Sequence, residues 1–164
     1  FMASCAALVT DRSDVKLVPL ENPVQVSAFD YGQCYSPKSP KFARAMVVAA
    51  GDAATTFISG TASITDSETQ HLGDVVKQTD QTFDNIAALI GEDNFARHAM
   101  PGLGATLDDL ALVRVYIKHQ EDYPKTREVC RRRLGGTPTI YAVADVCRPD
   151  LLVEIEGIAF SQRQ

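Results

Sequence analysis

The stretch LLVEIEGIAF, from Leu151 to Phe160, constrains this chain more than any other, because its side chains alternate between two faces of one strand. Leu151, Val153, Ile155, Gly157 and Ala159 share one face, which reads as a core face. Leu152, Glu154, Glu156, Ile158 and Phe160 share the other. Two carboxylates among three large apolar groups suit neither an ordinary solvent face nor an ordinary core. Burial beside apolar groups raises a carboxyl pKa, so such a residue can hold a proton near neutral pH and donate it as a general acid. Glu154 is the candidate for that role. An exposed strand end, or arginine pairing of both glutamates in a subunit contact, satisfies the same spacing equally well.

A second strand pattern, PTIYAV from Pro138, precedes this one, and the turn between them carries Asp145, Cys147 and Arg148. A loop guanidinium beside a strand carboxylate can grip an anionic ligand bidentately. A plain ion pair with Glu154 or Glu156 is the even alternative.

The 164 residues fit one domain over 1–164, and 45% hydrophobic content is enough for a core. A net charge of -5 does not suggest a nucleic-acid partner. Cys5, Cys34, Cys130 and Cys147 form no CxxC pair and read as reduced thiols of a cytoplasmic protein. HxxxH, CxxC and clustered aspartates are missing, so no metal is indicated, and without a glycine-rich phosphate loop after a strand no cofactor is expected. His71, His98 and His119 read as surface or loop residues. The opening FMASCAALV has no basic region before it and is too short to span a bilayer, so no membrane partner is expected.

Residues 1–38 read as an irregular extension with short edge strands in VKLVPL and PVQVSAF, marked by Pro19 and Pro23. SPKSPKF is a loop; ARAMVVAA and TTFISGTASI form a hairpin around Gly51 and Asp52, and Gly60 permits close approach of a ligand or chain, or marks a bulge. Asp74 to Ile90 is an amphipathic helix closed by Gly91, with Thr79, Phe83, Ile86 and Ile90 on its apolar stripe. Residues 91–106 read as loop. Thr106 and Asp109 imitate a capping box before the strand ALVRVYIK. Asp122 caps a second helix, with Pro124 in its first turn and Arg131 to Arg133 as solvated charges in its last.

The order predicts an α+β domain: an antiparallel or mixed sheet with two helices on one side. Its other face, with either Tyr141 and Val143 or Ile140 and Ala142 joining Leu152, Ile158 and Phe160, stays uncovered and should drive closed self-association with sites at subunit clefts.

SPKFARA, FISGTASI, QTDQTFDNIAALI, VRVYIK and EIEGIAF together resemble the Rid superfamily (YjgF-like, also labelled endoribonuclease L-PSP) from about Ser39 to Phe160. The resemblance implies a chorismate-mutase-like fold, a homotrimer and clefts between subunits. In imine-deaminating members an arginine stands two residues after the proline of the penultimate strand; here that residue is Ile140, with Phe42 in place of a tyrosine and Arg127 in place of an asparagine. Loss of that guanidinium removes a contact class worth roughly 1.5 to 3 kcal/mol. QVSAF, SPKFARA, SGTASI and ADVCRPDLLVEIEG are instead similar to the C-terminal half of chorismatases, which protonate the enolpyruvyl ether of chorismate and release pyruvate. That resemblance implies Glu154 as the acid and Arg148 as a carboxylate anchor on a small carboxylate metabolite. Arg44, Arg127, Tyr141, Thr61 and Ala62 complete the substrate-binding candidates, and Arg114 is a further arginine able to meet a dianion. An imine deaminase, a noncatalytic metabolite binder and, on the family label alone, an endoribonuclease are the alternatives.

Overall fold

A computed structural model describes residues 8–30 and 41–163. Eight strands and three helices run in the order β1 (Val15–Leu20), β2 (Ala45–Ala50), β3 (Ala53–Thr61), β4 (Ile64–Thr65), β5 (Glu68–Thr69), α1 (Val75–Ile90), α2 (Glu92–Arg97), β6 (Leu110–Ile117), α3 (Tyr123–Leu134), β7 (Thr139–Val143) and β8 (Val153–Gln162). Six strands form one sheet in the order β1-β2-β3-β8-β6-β7, while β4 and β5 make a separate small hairpin. The sheet is mixed: β6 and β7 are parallel, joined through α3, and the other neighbours are antiparallel. The β2–β3 turn lies where its sequence puts it, with Gly51 at φ 59, a conformation cheap only for glycine.

Helices α1 and α3 pack on one face of the sheet and on each other. Under them lie Val113, Val115, Ile117, Val153 and Ile155, all within 1% of complete burial, against Phe83, Ile86 and Leu89 of α1. Asp74 caps α1 through the Lys77 N–H, and the Thr106–Asp109 box is formed. Arg132 and Arg133 reach across to Asp80 and Asp84, so the charges at the end of α3 tie it to α1 as well as suiting its C-terminal dipole.

Four expectations need correction. PVQVSAF is no strand: apart from a Gln25–Asp66 bridge and a short 3-10 turn at Ala28–Asp30 it is irregular, because the buried amides of Asn22 and Gln25 bind the Asn85 and Ile64 carbonyls. Residues 91–106 hold α2, six residues with too little length for a periodic signal; Gly91 closes α1 as expected, at φ -65 and ψ 155, and also opens α2. Helices therefore number three among the described residues. Asp122 accepts none of the N–H groups of α3, since the 3-10 turn Gln120–Asp122 runs straight into the helix. Most of SPKSPKF, with Cys5 and Cys34, lies outside the described residues.

On the opposite face, register lines up transverse rows. Pro19, Met46, Phe57, Ile158 and Leu112 form one, and Leu17, Val48, Thr55 and Phe160 the next. Ile140, Arg114 and Glu156 form a third, and Ala142, Tyr116 and Glu154 a fourth, so Ile140 and Ala142 are the residues of β7 that join this face. Away from Glu154 this face stays open: Phe160 is 56% exposed and Phe57 42%.

Candidate functional site

The fourth row ends in a pocket. Between β3 and β8 the register slips: three steps from Ile58 to Thr61 face two from Gly157 to Ile155, an extra residue that bends the end of β3. Gly60 sits in this bulge beside Glu154, and a Cβ there would overlap the Glu154 carboxylate. The bulge reading of Gly60 is thus the observed one, and the space its missing side chain leaves is taken by an acidic side chain of its own sheet.

Around Glu154 a cavity of about 380 Å³ is lined by Phe42, Arg44, Ser59, Gly60, Ala62, Ile64, Cys147 and Arg148. Arg44 is 4% exposed, lies 5.4 Å from the Phe42 ring centre and donates to the Val26 carbonyl at 2.9 Å. Arg148 is 9% exposed and donates to the Ser67 carbonyl at 2.8 Å. Each guanidinium is anchored on a backbone carbonyl and lines the cavity, where its planar fork of donors suits capture of an anionic group.

Burial pushes the Glu154 carboxyl above the ordinary carboxylate range, opposed by a hydrogen bond with the Cys147 thiol and reinforced by the Glu156 charge. Cys147 is exposed at the mouth of the cavity while its sulfur reaches this carboxyl; burial of the thiol and the Glu154 charge raise its pKa, so it is no thiolate nucleophile. The site can hold a carboxylic acid next to fixed cations, the arrangement for general-acid work on an anion.

The loop that brings Cys147 and Arg148 here is fastened from behind. Gln78 of α1, fully buried, donates to the Asp150 carbonyl at 3.0 Å and to the His71 carbonyl at 3.3 Å, and accepts the Leu152 N–H at 2.8 Å. Lys118 adds a bond to the Pro149 carbonyl. Asn85 of α1 donates to the Ala62 and Ile64 carbonyls and so fixes the opposite wall.

The structure brings Glu154, Arg148, Arg44 and Ala62 together. Thr61 is next to them in the chain, but its buried hydroxyl donates to the Ser59 carbonyl, in register with the helix-facing Ile155. Tyr141 is on the helix-covered side, its ring set edge-on to Tyr123 at 5.3 Å and its hydroxyl beside the Cys130 thiol, which is pushed up to about 11 by burial. Arg127 is exposed on α3 near Tyr141. Tyr141 lines a different, wider groove between α3 and β7, together with Tyr123 and Pro124. Arg114 pairs with Glu156 at 2.6 Å. Among the described residues no His, Cys, Asp and Glu cluster stands ready for a metal, and no helix is long and apolar enough to cross a membrane.

Sequence reading missed Gln78 and Ser59, though it marked Gly60 as a bulge. A polar residue inside the apolar stripe of α1 was the available sign of Gln78; nothing short of the register slip turns Ser59 toward the cavity.

The profile described as endoribonuclease L-PSP matches residues 38–161. The chain is 42% identical over 146 residues to a 3-hydroxybenzoate synthase of Streptomyces hygroscopicus, covering 86% of this chain and 43% of that protein. It is 40% identical over 144 residues to a chorismatase of Streptomyces rapamycinicus, with the same coverage. A chorismatase crystal structure superposes with a TM-score of 0.83 at 37% identity, over 88% of this chain and 44% of that one. The chain thus spans less than half the length of these relatives.

Proposed function

Because the chain belongs to the endoribonuclease L-PSP family, we propose that its pocket performs chorismatase-like cleavage of the enolpyruvyl ether of a small carboxylate. Glu154 is the proton donor in this reading. Its carboxylic acid adds a proton to the terminal vinyl carbon, turning the CH2 group into a methyl and leaving an oxocarbenium ion between the ether oxygen and the former vinyl carbon. Water attacks that carbon and loses a proton, and the resulting hemiketal breaks its bond to the ring oxygen, which leaves as an alcohol with pyruvate as the other product. Where a ring hydroxyl attacks in place of water, the same cation is captured within the substrate. Arg148 and Arg44 hold substrate carboxylates, positioning the vinyl group and drawing an anion into a site whose acid has its pKa raised by burial.

The observation that carries the reading is a protonatable glutamate seated against Gly60 in a cavity that two backbone-anchored arginines share. The relatives named for 3-hydroxybenzoate synthesis and for chorismatase activity support the substrate class. We extend the proposal to assembly: the open sheet face is covered by further copies of this fold, three in a closed ring, with the pocket completed at their junction. Sedimentation as a stable monomer overturns that part. The chemistry is tested by pyruvate release from chorismate, which the wild-type chain catalyses and Glu154→Gln does not; absence of turnover, or an undiminished rate in the variant, overturns it.

A further inference from the structure

Two adjacent rows of the open face place Tyr116 opposite Glu154 and Arg114 opposite Glu156. Straight pairing would give each glutamate one donor. Instead both donors converge on a single oxygen of Glu156: Arg114 Nη1 donates to Oε1 at 2.6 Å, and the Tyr116 hydroxyl leans diagonally to the same atom at 2.9 Å. One carboxylate thereby takes both donors, and the other is left in the next row against Gly60. Two residues along a strand separate the two groups by about 7 Å.

We propose that Glu156, anchored by Arg114 and Tyr116, is a positioning residue that keeps the proton on Glu154. The inference rests on the reading of Glu154 as the proton donor and names what maintains it in that state. A fixed negative charge on the same face opposes ionisation of its neighbour, and drawing the Tyr116 hydroxyl away withdraws a donor that would favour the ionised form of Glu154. The upward shift of Glu154, to which the Glu156 charge contributes, agrees with this. The remaining groups facing Glu154 are the Cys147 thiol and Arg148 from the loop and Arg44 ahead of β2, while β3 presents Ser59 and Gly60, neither of them charged. The thiol and the guanidiniums favour the ionised form, and burial and the Glu156 charge work against them.

The test is an NMR titration of the Glu154 side-chain carboxyl in the full chain, its signal assigned by disappearance in Glu154→Gln. Glu156→Gln, equal in shape and neutral, lowers the midpoint by about half a pH unit, and Arg114→Gln, which strips the cation from Glu156, raises it by a similar amount. General loosening of the sheet moves both variants in the same direction, so shifts of opposite sign support the proposal, and equal-signed shifts or none overturn it. Arg114→Gln, or Arg114→Met if that variant fails to fold, suffices alone, because loosening hydrates Glu154 and lowers its midpoint whereas loss of the cation raises it. The titration reads the carboxyl and not turnover: a chain that shows both shifts but cleaves no chorismate overturns the proposed chemistry and sustains this inference, and the reverse result does the opposite.

Discussion

The two faces of the one sheet are built from the same strands with the same alternation, yet they ask different things of their residues. Under the helices, Val113, Val115, Val153 and Ile155 contribute volume, and each is enclosed to within 1%. On the open side the rows mix Phe57, Ile158 and Phe160 with Arg114, Tyr116, Glu154 and Glu156, and what matters there is which atom meets which. The covered face makes the fold stable; the open face places charge at defined positions on a rigid frame. A face of the second kind is what a pocket needs, since side chains on strands hold their geometry better than those on loops.

The sharpest way to break this division is Glu154→Gln. On the proposed chemistry it lowers kcat for chorismate cleavage by about 10² to 10⁴, with KM changed little, and leaves folding intact in thermal melts. Ile155→Ala, one residue along on the covered face, does the reverse: about 2 to 5 kcal/mol of stability is lost in urea unfolding with kcat per folded molecule preserved. If Ile155→Ala were silent, the division between the faces would be wrong. Gly60→Ala lies between the two, since its methyl group would displace the Glu154 carboxylate; about 1 to 3 kcal/mol of stability and at least tenfold in rate are expected to go together.

The smallest effect separates two carboxylates by pH. Glu92, on the rim of the helical layer, accepts the Gly102 and Gly104 N–H groups at 2.6 and 2.9 Å, and those bonds, with help from Arg163, hold its carboxyl below the usual range. Its contribution is present above the unfolded-state carboxyl pKa and is lost as pH falls through the folded value. Glu92→Gln therefore costs about 1 kcal/mol at neutral pH, allowing for solvent screening, and nothing in strong acid. Glu154 has the opposite sign: its folded pKa is raised, so the fold bears a cost that appears as pH rises from the unfolded value through the folded one, and Glu154→Gln is slightly stabilising above that window. Melting temperatures of both variants between pH 3 and pH 8 check the crossing.

The order of strands and of the two long helices was legible because period-two and period-3.6 patterns survive in β6, β8 and α1, where one side is fully buried. Glu154 was legible for the same reason: carboxylates on a strand face shared with Leu152, Ile158 and Phe160 break its pattern visibly. Helix α2 and the β4–β5 hairpin were not, being six residues and two pairs long, and Gln25 was read as part of a strand because its bond to the Ile64 carbonyl leaves no periodic trace. Tyr141 illustrates a further limit. Alternation left open which residues of β7 face the glutamates, and only the parallel register with β6, opposite Val115, puts its ring on the helix side.

Gln78 has a consequence of its own. By accepting the Leu152 N–H while donating to the Asp150 carbonyl, its amide imitates the backbone of an absent neighbouring strand and extends the sheet's ladder into a loop. The Leu152 amide should therefore exchange with deuterium as slowly as those inside β8, and in Gln78→Ala it should exchange as fast as an ordinary surface turn. A single helical side chain would then be the latch that makes the turn bearing Cys147 and Arg148 part of the rigid body and not a flap over it.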